Sequence, residues 1–292
     1  MPGVLYVVST PIGNLEDITL RALRVLRDVS VIAAEDTRRT RQLLTHFDIH
    51  TKLLSLHAHS ERAKGPALVA RLSRGESVAL VSDAGTPLVS DPGLALVKLA
   101  RAADIRVEAV PGASAVLAAL VVAGVDTSRF RFVGFAPQKA GLRSTWLASI
   151  GQSPETVVFF EAPHRIIRTL GELQNVLGIR PIFLTRELTK VHEETLSGTC
   201  EEVAGRLGEP RGEFTVVVPH QVDVNESVNL TETDVYGEFC RLTKNGCSRR
   251  EAISTLARNT HRRQREIYRI VEDARQTEEV GEFFLDDDTA HG

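Results

Sequence analysis

The chain has 292 residues, 42% hydrophobic and 25% charged, values near the globular average that exclude disorder over most of its length. That length suits two domains with room for a small third piece. No apolar run approaches the ~18 residues of a membrane helix, the start offers no charged or cleavable apolar leader, and a net charge of -3 excludes a uniformly basic nucleic-acid binder.

In chain order, Val4–Ser9 reads as a strand. Asp17 then stands as an N-cap, before Ile18, Ala22, Val25 and Val29 at helical spacing. Strands are expected at Ser30–Ala34, Lys52–Leu56, Ser77–Ser82 and Ile105–Val110, with helices at about 38–47, 59–73 and 92–102. Short β-branched runs alternating with amphipathic stretches argue a parallel α/β sheet covered on both faces. A helix over 113–123 leads to Gly124, then to the turn-rich Asp126, Thr127 and Ser128, where a domain boundary is expected. The second half carries strands at Phe130–Phe135, Thr156–Glu161, Pro181–Arg186, Glu193–Ser197 and Glu213–Pro219, again with helices between them.

Val222–Asn229 is polar and aperiodic, as a linker is. Three short helices follow, at Thr231–Lys244, Ser248–Ala257 and His261–Ala274, and Ser248 and Glu251 have capping-box spacing. From Arg241 to Ile270 there are nine Lys/Arg and two acids; from Val271 to Gly292, eight acids and one Arg. The basic stretch reads either as a solvated face or as a nucleic-acid patch. Phe239 and Tyr268 sit at helical spacing among apolar residues, which places both in a core. The expected organisation is therefore an α/β domain over 1–123, a second over 124–222, a basic helical domain over 230–275 and a disordered acidic tail over 276–292.

Familiar signatures are missing from the chemistry-bearing loops. No GxGxxG follows the first strand, no P-loop occurs, and no HExxH or paired CxxC is found. His57 and His59 on one strand face lack a third ligand, so no metal site is assigned. Cys200, Cys240 and Cys247 make no even disulfide set, which points to a reducing cytoplasm.

Pro/Gly-rich loops stand directly after three strands: Thr10–Asp17, Asp83–Gly93 and Pro111–Ala115. Ligands of open parallel sheets bind beyond the strands' carboxyl ends, so the three loops are expected to form one wall. Charged residues also terminate apolar strands. Glu35, Asp36, Arg38 and Arg39 follow one; Glu161, His164 and Arg165 another; Arg186, Glu187 and Lys190 a third. Carboxylates and cations side by side suggest a cleft in which both are paired, and arginine suits phosphate.

The motifs Thr10–Asp17, Ala34–Arg38, Ser82–Pro87, Ser90–Gly93, Val110–Ser114, Phe160–Arg165, Arg186–Lys190 and Gly212–Thr215 resemble, in order over about residues 4–219, the ribosomal RNA small subunit methyltransferase I family of the tetrapyrrole methylase superfamily. The resemblance implies two α/β domains with S-adenosylmethionine in the cleft between them, and a small C-terminal helical domain. It also implies a cytoplasmic homodimer and 2′-O-methylation of a cytidine in the decoding region of 16S ribosomal RNA. By position, it puts Ile12, Asp83, Ala84, Gly85, Thr86, Ser114, Ala115, Phe160 and Thr215 at the cofactor. Glu35, Asp36 and Glu187 are the carboxylate candidates for activating the ribose hydroxyl, with an ion-pair network closing the cleft as their other reading. Arg38, Arg39, Arg165, Lys190, Arg249, Arg262 and Arg263 are the expected RNA contacts. Two other readings stay open: methylation of a small tetrapyrrole, and a non-catalytic RNA-binding assembly factor.

Overall fold

The structure, a computed structural model, describes residues 1–220, 232–244, 247–260 and 262–283. The expected linker at Val222–Asn229 lies outside them. The chain divides into two compact units after His220. Among the described residues no helix is long and apolar enough to cross a membrane.

Five short strands of the first unit, β1 (Leu5–Val8), β2 (Val31–Ala34), β3 (Leu53–Ser55), β4 (Val78–Val81) and β5 (Val107–Val110), form one sheet in the order β3-β2-β4-β1-β5. Every pairing in it is parallel. Helices α1 (Leu20–Asp28) and α2 (Thr37–His46) cover one face; α3 (Glu61–Ser73) and α4 (Leu94–Ala102) cover the other. Burial on both faces explains why β2 and β4 read as unbroken apolar runs.

Two local expectations differ. Asp17 ends a turn of 3-10 helix whose cap is Asn14, while α1 is capped by Thr19, whose hydroxyl accepts from the Ala22 N–H. The extra turn moves the true cap two residues on, three residues before Ala22, the first buried helical residue. His57 and His59 lie beyond the end of β3, in the turn that leads to α3, rather than on a strand.

The second sheet is mixed. Its strands β6 (Phe130–Phe135), β7 (Thr156–Glu161), β8 (Ile182–Arg186), β9 (Glu194–Gly198) and β10 (Phe214–Val218) take the order β6-β7-β10-β8-β9. Only β6 and β7 run parallel. One face packs on α6 (Ala140–Gly151), α7 (Pro163–Leu177) and α8 (Cys200–Arg206) around the fully buried Phe159. Burying such a side chain stabilises the fold by about 1.5–3 kcal/mol. The opposite face, through Val158 and Val217, packs on α5 (Ala115–Ala123). Helix α5 follows the last strand of the first sheet in sequence but covers the second sheet, so the two sheets share one body.

The C-terminal unit contains α9 (Glu232–Lys244), α10 (Arg249–Asn259) and α11 (Gln264–Phe283), packed through Val235, Phe239, Leu256, Ile267 and Val271. The capping box of Ser248 and Glu251 is formed. Helix α11 continues to Phe283, past the expected Ala274, because residues 275–280 contain no helix breaker. Tyr268 is not in the core: it is 51% exposed, with the Arg249 guanidinium 5.5 Å over its ring. The polar edge of the ring and the neighbouring arginine favour the surface, which periodicity alone does not reveal.

Candidate active site

The strand order places β1 between β4 and β5, so the loops after these three strands are neighbours. They are stitched by specific bonds. Thr10 and Gly85 exchange backbone hydrogen bonds of 2.8 and 3.0 Å. The hydroxyls of Ser9 and Thr86 lie 2.9 Å apart. Across the gap, Gly13 meets the loop after β8. A Cβ there would stand 2.8 Å from the Leu188 carbonyl oxygen, so only glycine fits, and the Asn14 N–H donates to the Thr189 hydroxyl at 3.0 Å.

Between these loops and the second sheet lies a cavity of about 480 Å³, within the range of small-molecule sites. Every position expected at the cofactor lines it: Ile12, Asp83, Ala84, Gly85, Thr86, Ser114, Ala115, Phe160 and Thr215. Phe160 and Thr215 are paired across β7 and β10, so they face the same way. Glu35, Glu187, Arg39 and Lys190 line it too. Residues not named as site candidates from the sequence complete the wall, among them Val89, Asp91, Phe135, Leu188 and Glu213. Asp91 and Glu213 lay inside quoted motifs, and Gly134 inside a strand pattern was the signal for a bulge beside Phe135.

Among the described residues, five carboxylates (Glu35, Asp83, Asp91, Glu187, Glu213) and two cationic side chains (Arg39, Lys190) line the cavity. Desolvation, then the charges of Asp91 and Asp83, push the Glu35 carboxyl above its usual value. One of its oxygens, Oε2, is buried without a hydrogen-bond partner. Asp91 is also raised, first by burial, with Asp83 and Glu213 adding to it and Ser82 opposing. Asp83 accepts from the Asp36 N–H at 2.9 Å and lies 3.6 Å from Arg39. The Glu187 carboxylate pairs with Lys190 at 2.9 Å. Leu88, Ser90, Glu187 and Thr189 hold left-handed backbone, a strain that clusters at functional sites.

The remaining expected residues sit elsewhere. Asp36 caps α2 and grips Arg38 through a 2.8 Å ion pair, which pulls its carboxyl down to about 2. Arg38 thus stands outside the cavity. Arg165 binds the buried Glu161 at 2.6 Å. On the C-terminal unit, Arg249 pairs with Glu272, Arg262 lies 3.9 Å from Glu266, and Arg263 is exposed.

A family model described as Tetrapyrrole (Corrin/Porphyrin) Methylases matches residues 4–204. A Synechocystis protein called ribosomal RNA small subunit methyltransferase I is 42% identical over 92% of this chain and 97% of its own length. Proteins of the same name from Bacillus subtilis and Xylella fastidiosa are 41% and 48% identical, over 91% and 79% of this chain and 93% and 86% of theirs.

The chain belongs to the ribosomal RNA small subunit methyltransferase I family.

Solved structures agree on the fold. A uroporphyrin-III-C-methyltransferase from Thermus thermophilus, 25% identical, superposes with a TM-score of 0.51 over 74% of this chain and 94% of its own. A diphthine synthase, 16% identical, gives 0.55 over 74% and 89%. The match to the Synechocystis relative covers more of the chain, 92%, than either structure does.

Proposed function

We propose that this chain transfers a methyl group from S-adenosylmethionine to the 2′-hydroxyl of a cytidine in 16S ribosomal RNA, in the cytoplasm where ribosomes are built. The observation that carries the reading is the cavity walled by three strand-end loops, with its excess of carboxylates. That lining suits a positively charged sulfonium donor, because desolvated carboxylates stabilise a cation more strongly than water-exposed ones do. Small residues at Ala84, Gly85 and Ala115 allow close approach along one wall, and Ile12 and Phe160 supply apolar surface. When bound, S-adenosylmethionine supplies an activated methyl group.

The chain's own residues supply alignment and a proton acceptor. Orientation alone contributes about 7–11 kcal/mol to such a displacement. A ribose hydroxyl is a weak nucleophile, so a base is needed. Of the three carboxylate candidates, Asp36 is committed to its cap and Arg38, and Glu187 to Lys190. Glu35 retains an unpartnered buried oxygen and a raised pKa, which suits it to take the hydroxyl proton as the methyl–oxygen bond forms. Arg39 and Lys190 at the cavity, with Arg38 beside it, offer charge to the flanking phosphates. Arg249, Arg262 and Arg263 offer a further contact surface on the C-terminal unit.

A second copy is the proposed partner of α5. That helix is apolar throughout, and it leaves Leu117, Val121 and Val122 exposed after burying Val116, Ala119 and Leu120. Sedimentation of the native chain beside a Val121→Glu variant tests this.

The deciding experiment incubates the protein with methyl-labelled S-adenosylmethionine and 30S subunits, naked 16S ribosomal RNA or a tetrapyrrole precursor. Label on the cytidine ribose of the RNA supports the proposal. Label on the tetrapyrrole overturns the substrate, and RNA binding with no label anywhere returns the chain to an assembly role.

A further inference from the structure

Phe132 and Phe135 are three residues apart on β6. A straight strand would send their side chains to opposite faces, because alternate residues alternate in direction. The register of β6 on β7 shifts between them, at Gly134 with its φ of +68°. Both rings consequently pack against the same partner. The Phe132 and Phe160 centroids are 4.8 Å apart, and those of Phe135 and Phe160 are 5.5 Å apart. Phe132 joins the core there, while Phe135 lines the cavity and is 44% exposed. Bulges near functional sites re-aim one side chain in this way.

The backbone after Phe135 is clamped from behind. Arg165 donates to the Ala136 carbonyl at 3.1 Å and Arg143 to the Pro137 carbonyl at 3.3 Å. Both arginines belong to one cluster on Glu161, which has no solvent exposure. An aromatic ring is thus held at the cavity, backed by a second ring, with its burial left incomplete. What sets Phe135 apart from other exposed apolar side chains is its place on the cavity wall, with its ring fixed against Phe160.

We infer that Phe135 is the stacking platform for the nucleobase of the nucleotide that is methylated, and that the base must be unpaired to reach it. The inference rests on the RNA reading above. Stacking on an aromatic side chain is tolerant of base identity and contributes strongly to single-strand binding. It fixes the base plane, and through the glycosidic bond it brings the sugar hydroxyl to the carboxylate wall that holds Glu35. The Arg143–Glu161–Arg165 cluster acts through Phe135 as a positioning element.

The test compares wild type, Phe135→Leu and Phe135→Trp in methylation of 30S subunits, with cofactor affinity measured separately by calorimetry. Phe135→Leu is expected to raise KM for RNA roughly tenfold, leave the cofactor Kd within about twofold, and be matched by no such rise in Phe135→Trp. A short RNA carrying 2-aminopurine at the target position should be quenched on binding the wild-type protein. An unchanged KM in Phe135→Leu, a loss that falls on cofactor affinity instead, or an unquenched probe on wild type would overturn the inference. Absence of any RNA methylation by the wild-type protein is a separate result, and it refutes the functional reading itself.

Discussion

Glu161→Gln isolates the buried ionic cluster behind the cavity. Glu161 accepts from Arg165 Nη2, from the Thr169 hydroxyl at 2.6 Å and from the Ala162 N–H at 2.8 Å, and Arg143 lies 3.9 Å away. The substitution preserves shape but removes the fully buried anion that Arg165 binds and Arg143 approaches. The partly exposed Arg165 is left facing a neutral amide, and Arg143, 4% exposed, loses the more distant of its two carboxylates. Breaking a buried pair costs about 3–5 kcal/mol. Arg143 keeps Glu172 as a partner and Arg165 keeps some water, so a loss near the lower end, about 3 kcal/mol, is expected. With a urea m-value of about 2 kcal/mol/M, the midpoint should fall by about 1.5 M. Trp146 is the single tryptophan of the chain and packs edge-on against Phe159, 5.0 Å away. Its fluorescence therefore reports this half of the first unit without a contribution from the C-terminal helices. Glu172→Gln is the control: Glu172 is partly exposed, and a loss under about 1 kcal/mol is expected. A Glu161→Gln midpoint within about 0.5 M of wild type would show that the cluster does not brace this wall.

Three further outcomes follow from the site. Glu35→Gln should lower kcat about 10²–10⁴-fold with cofactor binding retained. Because the base works ionised and its pKa is raised, wild-type activity should fall as pH drops through a midpoint above the ordinary glutamate value, a limb that the variant lacks in a pH–rate profile. Asp83→Ala combined with Thr86→Val removes a charge and a hydroxyl from the loop wall, and calorimetry should show weaker cofactor binding; unchanged affinity would displace the donor from this cavity. Arg249→Ala with Arg263→Ala should weaken RNA binding and flatten its dependence on log salt by about one to two units of slope, whereas an unaltered slope would remove the C-terminal helices from the interface.

Much of the frame was legible in the residues. The strands of both halves fall within a residue or two of their expected ends, because short β-branched runs between Gly, Pro and Asp have few other solutions. The three loops could be grouped before any coordinates, since in an open parallel sheet they share one edge. The errors are local and have physical sources. Asp17 and Thr19 are both competent caps, and the 3-10 turn that takes up Asp17 leaves Thr19 to cap the helix. Tyr268 has the spacing of a core residue, yet its hydroxyl and Arg249 keep it at the surface. The pairing of Arg165 with the buried Glu161 was likewise invisible, because nothing in the sequence shows that Glu161 is buried.

By itself, then, the sequence determined the elements, the grouping of the Pro/Gly loops and the residue types of the wall, because these follow from local sterics and periodicity. The tertiary structure decided the rest. Strand direction in the second sheet, the packing of α5 across to it, and the bulge that turns Phe135 toward the cavity depend on contacts between distant segments. So does the division of labour among the carboxylates: Asp36 and Glu35 are adjacent in the chain, and only their surroundings leave one bound to an arginine and the other with a free, desolvated oxygen.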